Sequence, residues 1–310
     1  MPKALCNGVE IEYERLLPAT GGESAPALVF IMGLGAQLVG WDDGFIEGFV
    51  RRGYQTVRFD NRDIGLSTRF TEPPLGALMP LIMQILSGQS QGGGGRPTTV
   101  PYRLDDMADD TAALIEALGL KRAHIVGASM GGMIAQLCAL RHPQRVLSLT
   151  SIMSTNAEPG LPAGQPQALA ALFSPLGRTP EEIVEGLVRV FRIIGSPPPL
   201  FEEERVRARV RRAVERSLNP AGMARQFLAI LTAKSRKEAL GGLQLPSLVV
   251  HGEKDPLVPV ECGRATATSI PGARLLTLPG MGHDLPMALW PVITDAICEV
   301  AERGERAASA

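Results

Sequence analysis

The chain has 310 residues, and 45% of them are hydrophobic against 20% charged, the balance of a soluble globular protein long enough to bury a core without staples. A formal net charge of −1 gives no global field to draw nucleic acid or an anionic membrane surface, so neither is expected as a partner. The four cysteines, Cys6, Cys138, Cys262 and Cys298, are far apart and form no CxxC pair, which argues against a zinc site and a redox motif and predicts reduced thiols.

The opening segment Met1–Gly8 contains no apolar h-region, which predicts no secretory signal and a cytoplasmic protein. No apolar run approaches the ~18 residues of a membrane span. The best one, Leu75 to Leu86, is short and interrupted by Pro80.

In chain order, Lys3–Cys6 and Val9–Leu16 flank Asn7-Gly8, a strong hairpin signal. Ala27–Met32 reads as a buried strand, Asp43–Arg52 as a helix stopped by Gly53, and Thr56–Asp60 as the next strand. Leu104–Leu118 reads as a helix whose first turns carry four aspartates, as the helix dipole favours. Strand Ala123–Val126, helix Met130–Arg141 and strand Val146–Met153 follow, and then, after a gap, strand Ser247–His251, helix Glu261–Ser269, strand Arg274–Leu278 and helix Pro286–Arg303. This alternation predicts an α/β protein with a mainly parallel central sheet flanked by helices.

Two segments break the rhythm. Residues 71–101 hold the run Gly92–Gly95 and several prolines, and read as a flexible, lid-like excursion. No Gly-Lys-Ser/Thr follows the glycines, so they are not a phosphate loop. Residues 156–240 lack strand signals. Thr179-Pro180-Glu181-Glu182 starts a helix with a cap, a first-turn proline and first-turn acids, and Glu202–Leu218 and Pro220–Ala233 read as two more. The reading is a helical cap inserted into a core made of residues 1–155 and 241–310. The arginines between Arg205 and Arg212 are interleaved with glutamates, which predicts a solvated helix face.

The chemistry centres on Gly127-Ala128-Ser129-Met130-Gly131, a Gly-x-Ser-x-Gly between a strand and a helix. That context lifts the serine hydroxyl off the carboxyl edge of the sheet, and the Met130 amide at the helix N-terminus can donate to an oxyanion. A serine nucleophile needs a base held by an acid. His283 lies in the loop after the last strand, at the same edge. His124, inside a strand, and His142, at a helix end, read as structural, and His251, at a strand end, as a packing or hydrogen-bonding residue. Asp255 follows a strand, with Glu253 its rival. The order Ser129, Asp255, His283 is the one the motif leads one to expect.

On these residues, together with Ile31-Met32-Gly33-Leu34-Gly35 and Phe59-Asp60-Asn61-Arg62-Asp63-Ile64-Gly65-Leu66-Ser67, the chain resembles the serine carboxylesterases of the α/β-hydrolase fold, and is similar to bacterial esterases related to aclacinomycin methylesterase. The resemblance covers the core and is weak in the cap. It implies that the Leu34 amide joins that of Met130 in an oxyanion hole. Where such enzymes commonly have His-Gly, this chain has Met32-Gly33, which leaves the bracing of that loop unexplained. Asp60 and Arg62 read as a loop-bracing ion pair.

The implied activity is hydrolysis of neutral short- to medium-chain carboxylic esters through an acyl-enzyme, on small-molecule substrates, with no cofactor and no metal. An acyltransferase or perhydrolase would use the same triad, and a ligand-binding protein could share the scaffold. An aspartate nucleophile, as in epoxide hydrolases and dehalogenases, is excluded by Ser129. Oligomeric state is not legible.

Overall fold

Eight strands form one sheet in the order β1-β2-β4-β3-β5-β6-β7-β8 in a computed structural model that describes residues 1–86 and 100–309. The strands are β1 (Lys3–Cys6), β2 (Val9–Leu16), β3 (Ala27–Ile31), β4 (Gln55–Phe59), β5 (Ala123–Ala128), β6 (Val146–Ile152), β7 (Ser247–Gly252) and β8 (Arg274–Leu278). The β1–β2 hairpin turns at Asn7-Gly8, both at positive φ, and β2 pairs antiparallel with β4. From β4 to β8 every pairing is parallel, as expected for strands joined through helices. The strands therefore end together: Ile31 pairs with Gly127, Ala128 with Ile152, Ile152 with Val250, and Gly252 with Leu278. The loops that leave these ends share one edge of the sheet.

Side chains alternate across the pleat. Val29, Ile31 and Ile125 face one apolar layer, with residues of α3 (Leu104–Ala117) and α4 (Met130–Arg141). Leu28, Phe30 and Val126 face the other, with residues of α1 (Asp43–Val50) and α11 (Trp290–Ser309). On that second side Phe30, Trp41, Phe45 and Phe49 form an edge-to-face and stacked cluster. All four cysteines are buried free thiols, and burial pushes Cys6 and Cys298 up to about 11 and Cys138 up to about 12.

Most sequence-derived elements sit within a few residues of their expected bounds. Within 71–101 the chain forms a helix, α2 (Leu75–Leu86), that continues through Pro80, while Gly92–Gly95 lie outside the described residues. A proline inside a helix costs on the order of 3 kcal/mol. Here Leu78 and Ile82, four residues apart, are buried against Phe227 and Leu228 of α8 (Pro220–Leu231), and this packing offsets the cost.

Residues 156–240 contain α5 (Pro166–Leu172), α6 (Pro180–Ile194), α7 (Glu203–Arg216), α8 and the short α9 (Lys237–Leu240). Thr179 caps α6 by accepting from the Glu182 amide, and Glu182 reaches back to the Thr179 amide. Val184 and Val188 of α6 pack on Val206, Val210 and Val214 of α7. The α7 arginines depart from the expected solvated face. Arg205 pairs with Asp42 at 2.9 Å and lies over the Trp290 ring, while Arg216 pairs with the fully buried Asp60 at 2.6 Å. Only Arg211 and Arg212 of the run are exposed, and Arg212 still reaches Asp43. The helix is bound to the core through acids that its local sequence does not reveal.

A fully buried junction joins α8 to the loop after β4. Arg225 grips both Asp63 oxygens at 2.6 and 2.9 Å, and both side chains are essentially sealed from solvent. Asp63 also accepts from the Tyr102 hydroxyl and the Phe70 amide. Removing one partner of such a pair strands a buried charge. Arg225→Met is therefore expected to lower the unfolding free energy by about 3–5 kcal/mol, read as an early urea midpoint against wild type.

Candidate active site

Strand β5 runs into the helix α4 through Ser129, which sits at φ 57° and ψ −121°. A residue with a Cβ pays about 1–3 kcal/mol for such a backbone. The turn is that sharp because its neighbours leave no room. A Cβ on Gly127 would lie 2.0 Å from the Gly131 carbonyl oxygen, and one on Gly131 would lie 2.1 Å from the Ile31 carbonyl oxygen. Each glycine of the motif thus lets one backbone pass against another. The Ser129 amide donates to Ile152 O at 2.9 Å, and the Ser154 hydroxyl donates to Ser129 O at 2.7 Å.

His283 Nε2 lies 3.0 Å from Ser129 Oγ, and its Nδ1 lies 2.8 Å from Asp255 Oδ2. A carboxylate only accepts, so Nδ1 carries the proton and Nε2 is left to accept from the serine hydroxyl. Asp255 is aimed by its own turn, its Oδ1 accepting from the Leu257 and Val258 amides, both at 2.9 Å. His283 is held through its backbone, its amide donating to Ile194 O at the end of α6. The loop beside it is latched to the stretch after α6 as well. Gly282 N donates to Ser196 Oγ, and the Ser196 hydroxyl and amide both donate to Asp284 Oδ1.

The other candidates lie apart from this relay. Glu253 is exposed. His124 bonds Ser148 and Glu305, and His142 bonds Asp109. His251 is closer, with Nε2 3.6 Å from Asp255 Oδ2, but it donates to Val258 O at 2.8 Å and so supports the turn that carries Asp255. Its Nδ1 has no partner among the described residues, and burial holds its pKa below the usual histidine value.

The loop after β3 lies directly against the serine. A Cβ on Gly33 would be 3.0 Å from Ser129 Cβ and 3.5 Å from Ser129 Oγ. Neither the Leu34 amide nor the Met130 amide donates a hydrogen bond among the described residues. The loop is braced on both sides: Asn61 Nδ2 donates to Met32 O at 3.0 Å, and Gly35 N donates to Gln226 Oε1 at 2.9 Å. Asp60 and Arg62 do not pair with each other as expected. Asp60 accepts from Leu38 N and Arg216, whereas Arg62 grips Asp110 through two contacts of 2.6 Å. They point into different surroundings, and each finds a partner remote in sequence. Ser196 and Gln226 carry no motif, Asn61 enters the resemblance only within the stretch Phe59–Ser67 with no role of its own, and only the missing histidine at Met32 hinted that a brace was needed.

The model of the alpha/beta hydrolase fold family matches residues 26–287. The chain belongs to that family. Among curated alpha/beta hydrolases it is similar to the rhodomycin D methylesterase of Streptomyces peucetius, 28% identical over 304 residues that cover 89% of this chain and 91% of that one. It is also similar to a bifunctional esterase/perhydrolase of Acinetobacter calcoaceticus, 26% identical over 90% of this chain and 91% of that one. The enol-lactonase of Burkholderia xenovorans LB400 shares the fold with a TM-score of 0.71 at 21% identity, covering 96% of this chain and 99% of that one. Among the described residues, no helix of this hydrolase is long and apolar enough to cross a membrane.

The buried histidines set a pH dependence of stability. Burial depresses the pKa of His251 and of His124 in the fold, so below the ordinary histidine pKa of about 6.5 the unfolded chain binds protons that the native protein refuses. Stability is then lost as pH falls from about 7 to 5, by up to about 1.4 kcal/mol per pH unit for each histidine. His251→Gln is expected to flatten that slope by one proton's share in urea titrations run across this range.

Proposed function

We propose that the protein is a serine esterase that hydrolyses neutral short- to medium-chain carboxylic esters through an acyl-enzyme. The observation that carries this reading is the relay from Asp255 Oδ2 to His283 to Ser129 Oγ, with contacts of 2.8 and 3.0 Å, while the Leu34 and Met130 amides have no acceptor among the described residues. In this reading Ser129 Oγ attacks the ester carbonyl as His283 Nε2 takes its proton. The carbonyl oxygen becomes an oxyanion received by the Leu34 and Met130 amides. His283 returns the proton to the leaving alcohol, and the acyl group stays on Ser129. A water activated by the same nitrogen then releases the acid. Asp255 fixes the tautomer and stabilises the imidazolium without taking the proton.

Substrate class is argued from chemistry around the site. The cap brings aliphatic and aromatic side chains, such as Leu172, Phe173 and Phe191, into its clusters. Its arginines are largely committed to acids of the chain, so they offer little fixed charge to an anionic substrate. The methylesterase and esterase/perhydrolase relatives favour ester cleavage. The second of them keeps open a perhydrolase side activity, in which peroxide replaces water at the acyl-enzyme. A complete triad speaks against a ligand-binding protein without catalysis.

Ser129→Ala is expected to cut p-nitrophenyl butyrate turnover by about a million-fold while the thermal melt is retained. A variant that keeps a tenth of wild-type turnover would reassign the nucleophile. Across acetate, butyrate, octanoate and palmitate esters, kcat/KM is expected to peak before octanoate is passed. A maximum at palmitate, or activation on emulsified lipid, would make the protein a lipase instead.

A further inference from the structure

The esterase reading places one oxyanion donor, the Leu34 amide, on a loop that lacks the usual histidine brace. We propose that Gln226, on the cap helix α8, is the positioning residue that aims this donor, so that the oxyanion hole is held from the cap. The inference rests on the esterase reading and adds a residue to its machinery.

Gln226 is completely buried. Its Oε1 accepts from Gly35 N at 2.9 Å, and its Nε2 donates to Arg62 O at 2.9 Å. These two bonds fix the orientation of the side-chain amide. Turned over, it would set NH₂ against an N–H and oxygen against a carbonyl. The Gly35 N–H belongs to the peptide plane next to the one that carries Leu34 N–H. The other end of the loop is fixed at Met32 O by Asn61, and Gly33 O accepts from Ala36 N at 3.2 Å. With Met32 O, Gly33 O and Gly35 N all tied, the intervening Leu34 N–H has little freedom left, and it has no partner among the described residues. One turn earlier on α8, Met223 packs on the same spot: a Cβ on Gly35 would lie 3.1 Å from Met223 Cγ. Gly35 itself is at φ 67°, a backbone that such seating requires.

The helix is rigidly placed for this work. Arg225 grips Asp63, and Asn219, the α8 cap residue, donates to Asp63 O at 2.7 Å. The loop after β4 therefore receives α8 through Asp63 and Arg62 O, and braces the oxyanion loop through Asn61 and Asp60.

The test uses the full chain with Gln226→Leu and Gln226→Glu, assayed on p-nitrophenyl butyrate and with an alkylboronic acid that becomes tetrahedral on Ser129. A displaced donor weakens only what the transition state gains. Gln226→Leu is therefore expected to lower kcat by about 10- to 100-fold with KM within about threefold, and to weaken the boronic acid by a factor similar to the loss in kcat. Gln226→Glu keeps the shape. Its protonated carboxyl can accept from Gly35 N and donate to Arg62 O, while its ionised form faces the Arg62 carbonyl with a lone pair. Its kcat relative to wild type is expected to rise as pH is lowered, through an ionisation that wild type lacks. Should the leucine variant fail to fold, the glutamate variant's pH ratio decides. Wild-type kcat and boronic acid affinity in Gln226→Leu, or a flat pH ratio in Gln226→Glu, would overturn the inference. Ser129→Ala separates the two proposals. If it stays active the esterase reading fails, and if it is dead while Gln226→Leu keeps full kcat, the role of Gln226 alone fails.

Discussion

The close approach of three backbones, at the ends of β3 and β5 and the start of α4, is the constraint on which the site depends. The Gly131 position lies so near Ile31 O, and the Gly127 position so near Gly131 O, that a methyl group at either would force the strands and the helix apart. Ser129 is the residue caught between them, and its positive φ is the shape the chain must take to turn within that space. The same proximity presses Gly33 against the Ser129 side chain, so one packing event sets both the attacking oxygen and the loop proposed to receive the oxyanion. Relaxing the turn would release the strain and move the two apart.

The loop after β4 forms a second centre, built from charge. Asp60, Arg62 and Asp63 are all buried, and each is matched by a partner of opposite sign from another element: Arg216 of α7, Asp110 of α3 and Arg225 of α8. Buried pairs of this kind add little net stability compared with apolar packing, but they penalise every arrangement in which a partner is missing. Their effect is to specify one docking of α3, α7 and α8 on this loop. Gly65 tightens the specification, because a Cβ there would lie 2.0 Å from Asp60 Oδ2.

How much of this was legible in the sequence follows from how local each cause is. The strands were readable because short apolar runs and the turn residues that bound them are written in neighbouring positions, and the meeting of Ser129, Asp255 and His283 because Gly-x-Ser-x-Gly suggests a local turn and a chain order. The helix α2 was hidden, since Pro80 argues for a break and only contact with α8 overrides it. The partners of Asp60 and Arg62 were hidden for a similar reason. Proximity in sequence suggested that they meet, whereas Arg216 lies 156 residues and Asp110 lies 48 residues along the chain. Gln226 could not be found at all, because a buried glutamine is defined by the two backbone groups it joins and by no neighbour of its own.

These contacts divide the helices of residues 156–240 by task. The end of α6 holds the base loop, with Ile194 O receiving the His283 amide and Ser196 joining Gly282 N to Asp284. The helix α8 holds the loop after β3 through Gln226 and the loop after β4 through Arg225. Between them α7 is tied to the core at both ends, at Asp42 through Arg205 and at Asp60 through Arg216. These helices are thus part of the frame that holds the loops of His283 and Leu34 beside Ser129. If Gln226 aims the Leu34 amide as proposed, changes that shift α8 are expected to act on the chemical step itself.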